Sequence, residues 1–565
     1  MRKAKKPNFV TVVALFLSTL LVSPLVRAQV AGGALSGTVS DPSGAAIPNA
    51  NLAIKAVATG VSRTVTTDAA GLYSAPNLLP GTYEVTASAS GFKQVVLTGI
   101  TITVGFQQTL NVKMEVGQVS QTIQVAAEAP QIQLTSSALS DTVNATTVRE
   151  LPLNGRSWTD LATLQPGISN MSAEQPGISG TSSASARGIR GFGNQITISG
   201  GRPTQNNYRL NGISENDYSN SSPGSVLGGA TGVDAIAEFS VITSNYSAEY
   251  GRTSGGVVNA ITRSGTNQFH GDGYEFLRNS ALDAKNYFDS KTNPIPPFRR
   301  NQFGASAGGP IIKDNTFIFG NYEGLRQSLG TSFTDTVPSD NAKQGILNFS
   351  DPSQFPTGCT ATATANQCQL TVSPNITPFL GLWHSPNNGL LGLGNTGVYT
   401  FAAQQVVSEN FFTIRADHKL SSTDSISGTF QYDRAQGTLP DSLNTVVVGQ
   451  KTGQTFATIE EDHTFSAQLV NSVRLGFNRS TAFTGGGISA LNPLAQGSAT
   501  SVVPPYDAPL IQPSGLTFFG GGVDNQSSAV FHWNSYQVYD DAFYTHGKHS
   551  IKFGFAFEQM QDNYD

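Results

Sequence analysis

Charge is scarce in this 565-residue chain: Asp, Glu, Lys and Arg together make up 13% of it, and cysteine occurs only twice. Past residue 28 no stretch reaches the ~20 unbroken apolar residues of a membrane helix, so helical membrane spans are not expected. His-Glu-x-x-His and phosphate-loop patterns are missing, and Gly304-Ala305-Ser306-Ala307-Gly308 falls inside a strand-like run, not in the strand-turn-helix elbow of a serine hydrolase. That removes the usual signatures of serine hydrolases, zinc peptidases and nucleotide-binding enzymes. The histidines (His270, His384, His418, His463, His532, His546 and His549) show no zinc-type spacing with cysteine. His546 and His549 flank a predicted hairpin turn, where solvated polar residues are ordinary. The acidic neighbours Asp540-Asp541 and Glu460-Glu461-Asp462 fall in strand-like runs, where successive side chains point to opposite faces. They make poor acid–base pairs. No enzymatic activity, cofactor or metal site is expected.

What the chain has is 59 glycines, 9% aromatic residues and many serines and threonines. This composition suits strands and turns better than long helices. The length allows several domains at ~100–200 residues each. At the N-terminus Arg2, Lys3, Lys5 and Lys6 precede an apolar run from Phe9 to Leu21, and Val26-Arg27-Ala28 precedes Gln29. Basic flank, short apolar run and small-residue site predict a secretory signal peptide over residues 1–28. An anchoring helix fits less well, because the run is short and Ser23-Pro24 follows it. Removal of the peptide takes away Arg2, Lys3, Lys5, Lys6 and Arg27 and no acid, moving the formal net charge from -5 to -10. An acidic mature chain argues against a nucleic-acid partner. In an exported chain, Cys359 and Cys368 are candidates for a local disulfide, with two free thiols as the alternative.

Residues 29–117 read as a small β-sandwich. Short alternating runs are broken by turns such as Asp41-Pro42-Ser43-Gly44 and Asp68-Ala69-Ala70-Gly71, and the unit closes after Gly91-Phe92-Lys93 with runs Val95–Val104 and Gln108–Met114. Asp68 is read as capping its own turn. The order Gly37-Thr38-Val39, Asp41, Gly44, Thr67-Asp68, Gly71, Tyr73, Pro80-Gly81-Thr82-Tyr83 and Gly91-Phe92 resembles the carboxypeptidase regulatory-like domain, a transthyretin-like module. The unit has two turn carboxylates and no histidine, so it holds no metallopeptidase site.

The stretch Val233–Gly271 links two different patterns. A short helical turn at Asp234 leads to Glu238-Phe239-Ser240-Val241-Ile242, then to Glu249-Tyr250-Gly251, Gly255-Gly256 and the branched run Val257–Thr262. Ahead of it, one helix is predicted over Val143 to Leu151, running into Leu151-Pro152-Leu153-Asn154-Gly155-Arg156. Tyr208-Arg209-Leu210-Asn211-Gly212-Ile213 reads as a strand and turn, and Ser219 to Gly232 as an exposed loop. Arg187-Gly188-Ile189-Arg190-Gly191 is followed by a strand, not by the helix N-terminus of a phosphate cradle.

From Phe269 onward ~10-residue alternating runs dominate. Ile426, Gly428, Phe430 and Tyr432 share one face, with Ser425, Ser427, Thr429 and Gln431 on the other. Nine strands are predicted: Gln268–Leu277, the hairpin Gln302–Ile312 with Thr316–Arg326, Asn410–Lys419 with Asp424–Asp433, Thr458–Phe465 with Leu469–Phe477, and Tyr536–Tyr544 with His549–Phe557. Turns such as Lys313–Asn315 and Ser421–Thr423 are short, whereas Gln327 to Glu409 reads as long and irregular. Such asymmetry matches the periplasmic and extracellular ends of an outer-membrane barrel, with the cysteines outside.

These motifs together resemble TonB-dependent outer-membrane receptors of the Oar-like subgroup. The likeness rests on Leu151–Arg156, Glu249-Tyr250-Gly251, Gly255–Asn259, Ile261-Thr262-Arg263 and the hairpin Gln302-Phe303-Gly304 through Tyr322-Glu323-Gly324. Asn211 stands where the family has an acid. The resemblance implies a mostly β fold: a small β-sandwich, then an α/β plug domain, then an incomplete antiparallel transmembrane β-barrel. The expected divisions are 1–28 signal peptide, 29–117 sandwich, 118–130 connector, 131–265 plug and 266–565 barrel part. Nine strands fall short of the ~22 that the resemblance implies, so the chain is expected to be an N-terminal fragment. The implied function is ligand uptake across the bacterial outer membrane, energised by TonB. The implied partners are the TonB complex, outer-membrane lipid and an extracellular ligand of open identity. An adhesion or structural protein of the same architecture is the alternative. Gln121, Thr122, Ile123, Gln124 and Val125 are the candidate TonB-pairing segment; the sandwich's last strand or plain linker is the other reading.

Overall fold

The computed structural model describes residues 32–117, 122–126, 138–151, 153, 155–172, 194–217, 220, 231–247, 249–251, 253–285, 294–466, 468–502, 507–523, 529–546 and 549–564. The expected signal peptide, Gln121, the Arg187–Gly191 glycine run and most of the Ser219–Gly232 loop lie outside these residues.

The first unit is a β-sandwich. Its strands are β1 (Gly33–Ser40), β2 (Asn51–Ala56), β3 (Ser62–Thr66), β4 (Leu72–Leu78), β5 (Gly81–Ser88), β6 (Gln94–Ile102), β7 (Gln107–Thr109), β8 (Val112–Lys113) and β9 (Thr122–Ala126). One sheet runs β4-β1-β7 with β8 also on β1, and the other runs β3-β2-β5-β6-β9. Strict alternation in β1 and β5 sends Leu35, Val39, Tyr83, Val85 and Ala87 into the shared core. Asp68 does cap its turn, accepting from the Ala70 and Leu72 amides at 2.8 and 2.9 Å.

The second unit is α/β. It contains β10 (Leu139–Val143), α1 (Ala145–Glu150), β11 (Ile168–Ser172), β12 (Asn194–Ile198), β13 (Asn207–Leu210), β14 (Ile213–Ser214), β15 (Ile236–Ser244) and β16 (Val257–Thr262). The main sheet runs β10-β15-β16-β13-β14. The predicted Val143–Leu151 helix is shorter than expected: Val143 closes β10 and Asn144 caps α1, accepting from the Thr147 amide at 2.9 Å. An asparagine side chain offers that amide its first partner, so the helix begins after it. Asn211 and Gly212 turn β13 into β14 with φ of 50° and 78°, the left-handed pair that a tight hairpin needs. Trp158 packs edge-on against Phe239, ring centroids 4.8 Å apart, in a core that also takes Phe456 and Tyr539 from the third unit.

The third unit is one continuous antiparallel wall. It comprises β17 (His270–Asn279), β18 (Phe298–Ile312), β19 (Thr316–Pro338), β24 (Thr396–Lys419), β25 (Asp424–Pro440), β26 (Val446–Thr464), β27 (Leu469–Ala490), β28 (Ala529–His546) and β29 (His549–Tyr564), paired in chain order. Four short strands lie between β19 and β24: β20 (Ile346–Asn348), β21 (Thr360–Ala361), β22 (Gln367–Gln369) and β23 (Leu390–Leu391). The predicted hairpins all form, but the strands run further. The expected irregular segment Gln327–Glu409 is a correction: β19 continues to Pro338 and β24 begins at Thr396. Thr331 to Pro338 pair residue by residue with Ala403 to Thr396. Their alternation is hard to see because Ser, Thr and Gly occupy the positions that elsewhere carry apolar side chains. What remains between them, residues 339–395, holds the Cys359–Cys368 disulfide, with Cα atoms 5.6 Å apart.

The polarity of the wall is inverted relative to a water-soluble sheet. Consecutive residues show it: Ile414 is 45% exposed and Arg415 3%, Phe430 40% and Gln431 0%, Ile459 52% and Glu460 8%, Leu475 41% and Arg474 0%. Large apolar groups face outward, and charged and amide groups are buried against the α/β unit. Water would favour the reverse; lipid favours this. At the end opposite the short turns the strand ends and the long connections build a separate apolar core around Val337, Leu382, Trp383, Leu443, Val446 and Phe519. We expect Ile459→Lys to lower the unfolding free energy by about 2–4 kcal/mol in lipid vesicles, as read from urea titration, because it places a charge on the lipid face. An unchanged midpoint would show that water wets that face.

Candidate functional site

The α/β unit is held inside the wall by polar contacts to strands around its circumference. The first set centres on Arg156, whose backbone sits at φ 53° at the end of the Leu151–Arg156 motif. Its guanidinium pairs with Asp234 at 2.5 Å and with Glu323 of β19 at 3.4 Å. It also lies over the Tyr274 ring of β17, 4.1 Å from the centroid. Glu323 accepts from the Tyr274 hydroxyl at 2.5 Å and from the Gln302 amide of β18. One arginine thus joins the plug to three wall strands. Burial pushes the Asp234 carboxyl up, and Arg156 pulls it back.

A second set centres on Arg415 of β24. Its guanidinium donates to the Thr262 carbonyl at 3.2 Å and pairs with Asp417 at 2.7 Å. Asn211 ties in here: its Nδ2 donates to Thr262 Oγ1 and to Thr429 Oγ1 of β25, both at 3.0 Å, and its Oδ1 accepts from the Thr262 amide at 3.0 Å. The asparagine at this position therefore binds two hydroxyls as a donor, which a carboxylate could not do.

On the far side, Gln537 of β28 grips Ser214 like an added strand, accepting from its amide and donating to its carbonyl, both at 2.9 Å. Asn478 of β27 donates to the Asn216 carbonyl at 3.2 Å, and Gln431 of β25 donates to Thr231 at 2.8 Å. Lys552 of β29 pairs with Glu249 of the Glu249-Tyr250-Gly251 motif. The motifs that the sequence offered thus become plug-to-wall ties. Of their partners, Glu323 stood within the Tyr322-Glu323-Gly324 motif without an assigned role, and Arg415, Gln537 and Lys552 were read only as strand residues. The period-2 alternation of the wall strands was the signal that could have found them.

The sandwich closes against the short-turn end of this assembly. Asn77 donates to Asp462 of β26 at 2.6 Å, and Asn267 donates to the Ala58 and Thr59 carbonyls at 2.9 and 2.8 Å. The Val104 amide donates to the Glu238 carboxyl of β15. A cavity of about 750 Å³ remains between sandwich, plug and wall, lined by Arg63, Arg149, Arg263, His270, Asp272 and Asp417 among others. Of the candidate TonB-pairing segment, Thr122–Val125 lie in β9, parallel to Gln94–Leu97 of β6 at the edge of the sandwich sheet. Cys359 and Cys368 are disulfide-bonded. Among the described residues Asp424, Glu461 and His463 approach one another closely enough for a metal, but Asp424 is already bonded to Ser421, Thr423 and His463 in a turn.

Residues 261–565 match the model of the outer membrane beta barrel domain. The chain belongs to that family. It is accordingly an outer-membrane protein, and the inverted polarity of the wall is the family's lipid-facing surface. Residues 34–115 match the carboxypeptidase regulatory-like domain, as the sequence resemblance implied. A curated relative, the TonB-dependent transporter Oar of Myxococcus xanthus, is 27% identical over 276 residues, 46% of this chain and 23% of the relative. The chain therefore matches less than a quarter of that protein's length. Among solved structures, the siderophore receptor PirA from Acinetobacter baumannii is 13% identical, covering 76% of this chain and 48% of that one, with a TM-score of 0.42. The outer membrane transporter YddB from Escherichia coli is 12% identical, covering 75% of this chain and 54% of that one, with a TM-score of 0.39.

Two outcomes are expected from these contacts. Arg156→Ala leaves Asp234 and Glu323 buried without their cation, and should cost about 3–5 kcal/mol in denaturant unfolding. Arg156→Ala combined with Glu323→Gln should recover part of that loss. The second concerns pH. Burial raises the Glu238 carboxyl from 4.5 to about 7, opposed by the Val104 amide. The docked state therefore favours the protonated acid. Sandwich docking should be tightest below pH 4.5 and should loosen as pH rises to about 7. The protection factor of the Val104 amide should fall over that window in the native protein and stay level in Glu238→Gln.

Proposed function

We propose that this chain forms part of an outer-membrane receptor that takes up a ligand through its plugged barrel, energised by TonB. Residues 131–265 act as the plug, and residues 266–565 as wall. The observation that carries the reading is the ring of polar ties between plug and wall, most of them buried, from Arg156 and Asn211 to Gln537 and Lys552. A lumen filled in this way does not open by diffusion alone. Transport through it needs work applied from the periplasmic side.

The route for that work runs through the backbone. TonB would pair with Gln121–Val125 by strand addition, using main-chain hydrogen bonds. The outer edge of β9 pairs with no other strand among the described residues. Force on β9 passes to β6, which ends two residues before Val104, and Val104 holds Glu238 in the plug sheet. Pulling on this edge therefore loads the plug both through the chain that runs from β9 to β10 and through the contacts of Val104 with Glu238 and Ile261. An adhesive or structural role gains support from the disulfide-closed extracellular lobe with its own core.

Deleting Gln121–Val125 from the full-length protein separates the readings. The transport reading expects normal insertion in the outer membrane and loss of binding by the purified periplasmic domain of TonB. If that domain binds the deleted protein as well as the native one, the coupling segment lies elsewhere. If it binds neither, the transport reading fails and adhesion takes its place.

A further inference from the structure

A strip of aromatic rings lines the lumen above the plug. On β19 and β24 the odd-numbered residues face inward: Asn321, Glu323, Thr413 and Arg415 do so at the level of the plug. Following the same rows outward brings Phe333 on β19 and Phe401 and Tyr399 on β24 to the inner surface. Phe333 and Phe401 are register partners, and so are Asp335 and Tyr399. The rings lie within 26° of parallel, with centroids 5.6 Å apart for Phe333 and Phe401 and 5.5 Å for Phe401 and Tyr399. His384, from the segment between the strands, extends the strip over Tyr399 at 4.7 Å and 14°. All four rings are half-buried, so each keeps part of its surface open.

Beside this strip sits a buried acid with no cation paired to it among the described residues. Asp335 is 5% exposed, and its Oδ2 has no hydrogen-bond partner. Burial pushes its carboxyl up to about 7, opposed by the Thr517 hydroxyl and reinforced by Asp441. Among the described residues no lysine or arginine forms an ion pair with either acid. A buried carboxylate without a cation is costly, and a second carboxylate nearby adds to the cost. A positive charge arriving from outside would relieve both. Aromatic faces next to a carboxylate are the surface on which organic cations bind best, since ring quadrupole and carboxylate attract the same charge.

We propose that Phe333, Asp335, Tyr399 and Phe401 form an extracellular subsite for an organic cation, an amine or quaternary ammonium group carried on an apolar body. Anions are opposed by Asp335 and Asp441. A neutral ligand leaves the Asp335 charge unanswered. Binding here needs no energy coupling, so the subsite is testable whether or not TonB drives transport.

The experiment is calorimetric titration of the full-length protein in detergent with choline, spermidine and 3,3-dimethylbutan-1-ol, the neutral shape-mimic of choline. At least one cation should bind saturably, and the neutral mimic should bind about tenfold or more weaker, as one lost charge interaction implies. Asp335→Asn and Tyr399→Ala should each weaken the cation about tenfold, while Tyr399→Phe, which keeps the ring, should retain it. Deleting Gln121–Val125 should leave this binding unchanged. Equal binding of cation and neutral mimic overturns the proposal, as does indifference to Asp335→Asn. Absence of saturable binding by both cations up to about 10 mM, weaker than any useful subsite, overturns it as well.

Discussion

Lipid offers no hydrogen bonds, and the rest of this molecule follows from that. A backbone group facing hydrocarbon must find its partner within the protein. The wall from β17 to β29 does so sideways, each strand bonded to its sequence neighbour. Side chains then sort by the solvent on each face. Ile414, Phe430, Ile459 and Leu475 turn outward, and the residues next to them in sequence, Arg415, Gln431, Glu460 and Arg474, turn inward. The inward set would be ruinous if left dry and unpaired. A second unit therefore has to fill the lumen and supply partners.

That unit supplies them in a graded way. Some ties are ionic and buried, such as Arg156 with Asp234 and Glu323, and Arg415 with Asp417. Others are neutral amide pairs, such as Gln537 with Ser214. Ionic buried pairs are expensive to break singly, because each leaves a charge behind. Neutral pairs can be exchanged for water at lower cost. The ties of Arg156 near β17 to β19 are thus firm, whereas near β28 and β29 the neutral Gln537–Ser214 pair stands beside the ionic Lys552–Glu249 pair. The sandwich adds a third layer through Asn77, Asn267 and Val104. Its contact on Glu238 is weaker above neutral pH, so the layer nearest the periplasm is also the most responsive to conditions.

Much of this was legible in the residues, because period-2 patterns and glycine-rich turns have simple causes. The sandwich could be read from its Asp-Gly turns and alternating runs, and each predicted hairpin of the wall exists. The outer ends of β19 and β24 were missed. Beyond the membrane both faces of a strand meet protein or water, and hydrophobic alternation fades along Thr331 to Pro338. The plug-to-wall ties were also hidden. Arg156 and Asn211 stood out as motif residues, but their partners lie over 160 positions away in the cases of Glu323, Arg415 and Thr429. Sequence spacing carries no signal for contacts that only closure of a sheet around another unit can create.

The central claim is that the wall has a lipid face and a packed polar face, alternating residue by residue. Spin labels placed one at a time along Gly428 to Asp433 and Thr455 to Glu460, in the full-length protein in liposomes, test it most directly. Oxygen, which concentrates in lipid, should relax labels at 428, 430, 432, 455, 457 and 459 strongly and those between them weakly. A flat profile along either strand, or fast relaxation of every label by a water-soluble nickel chelate, would contradict the account.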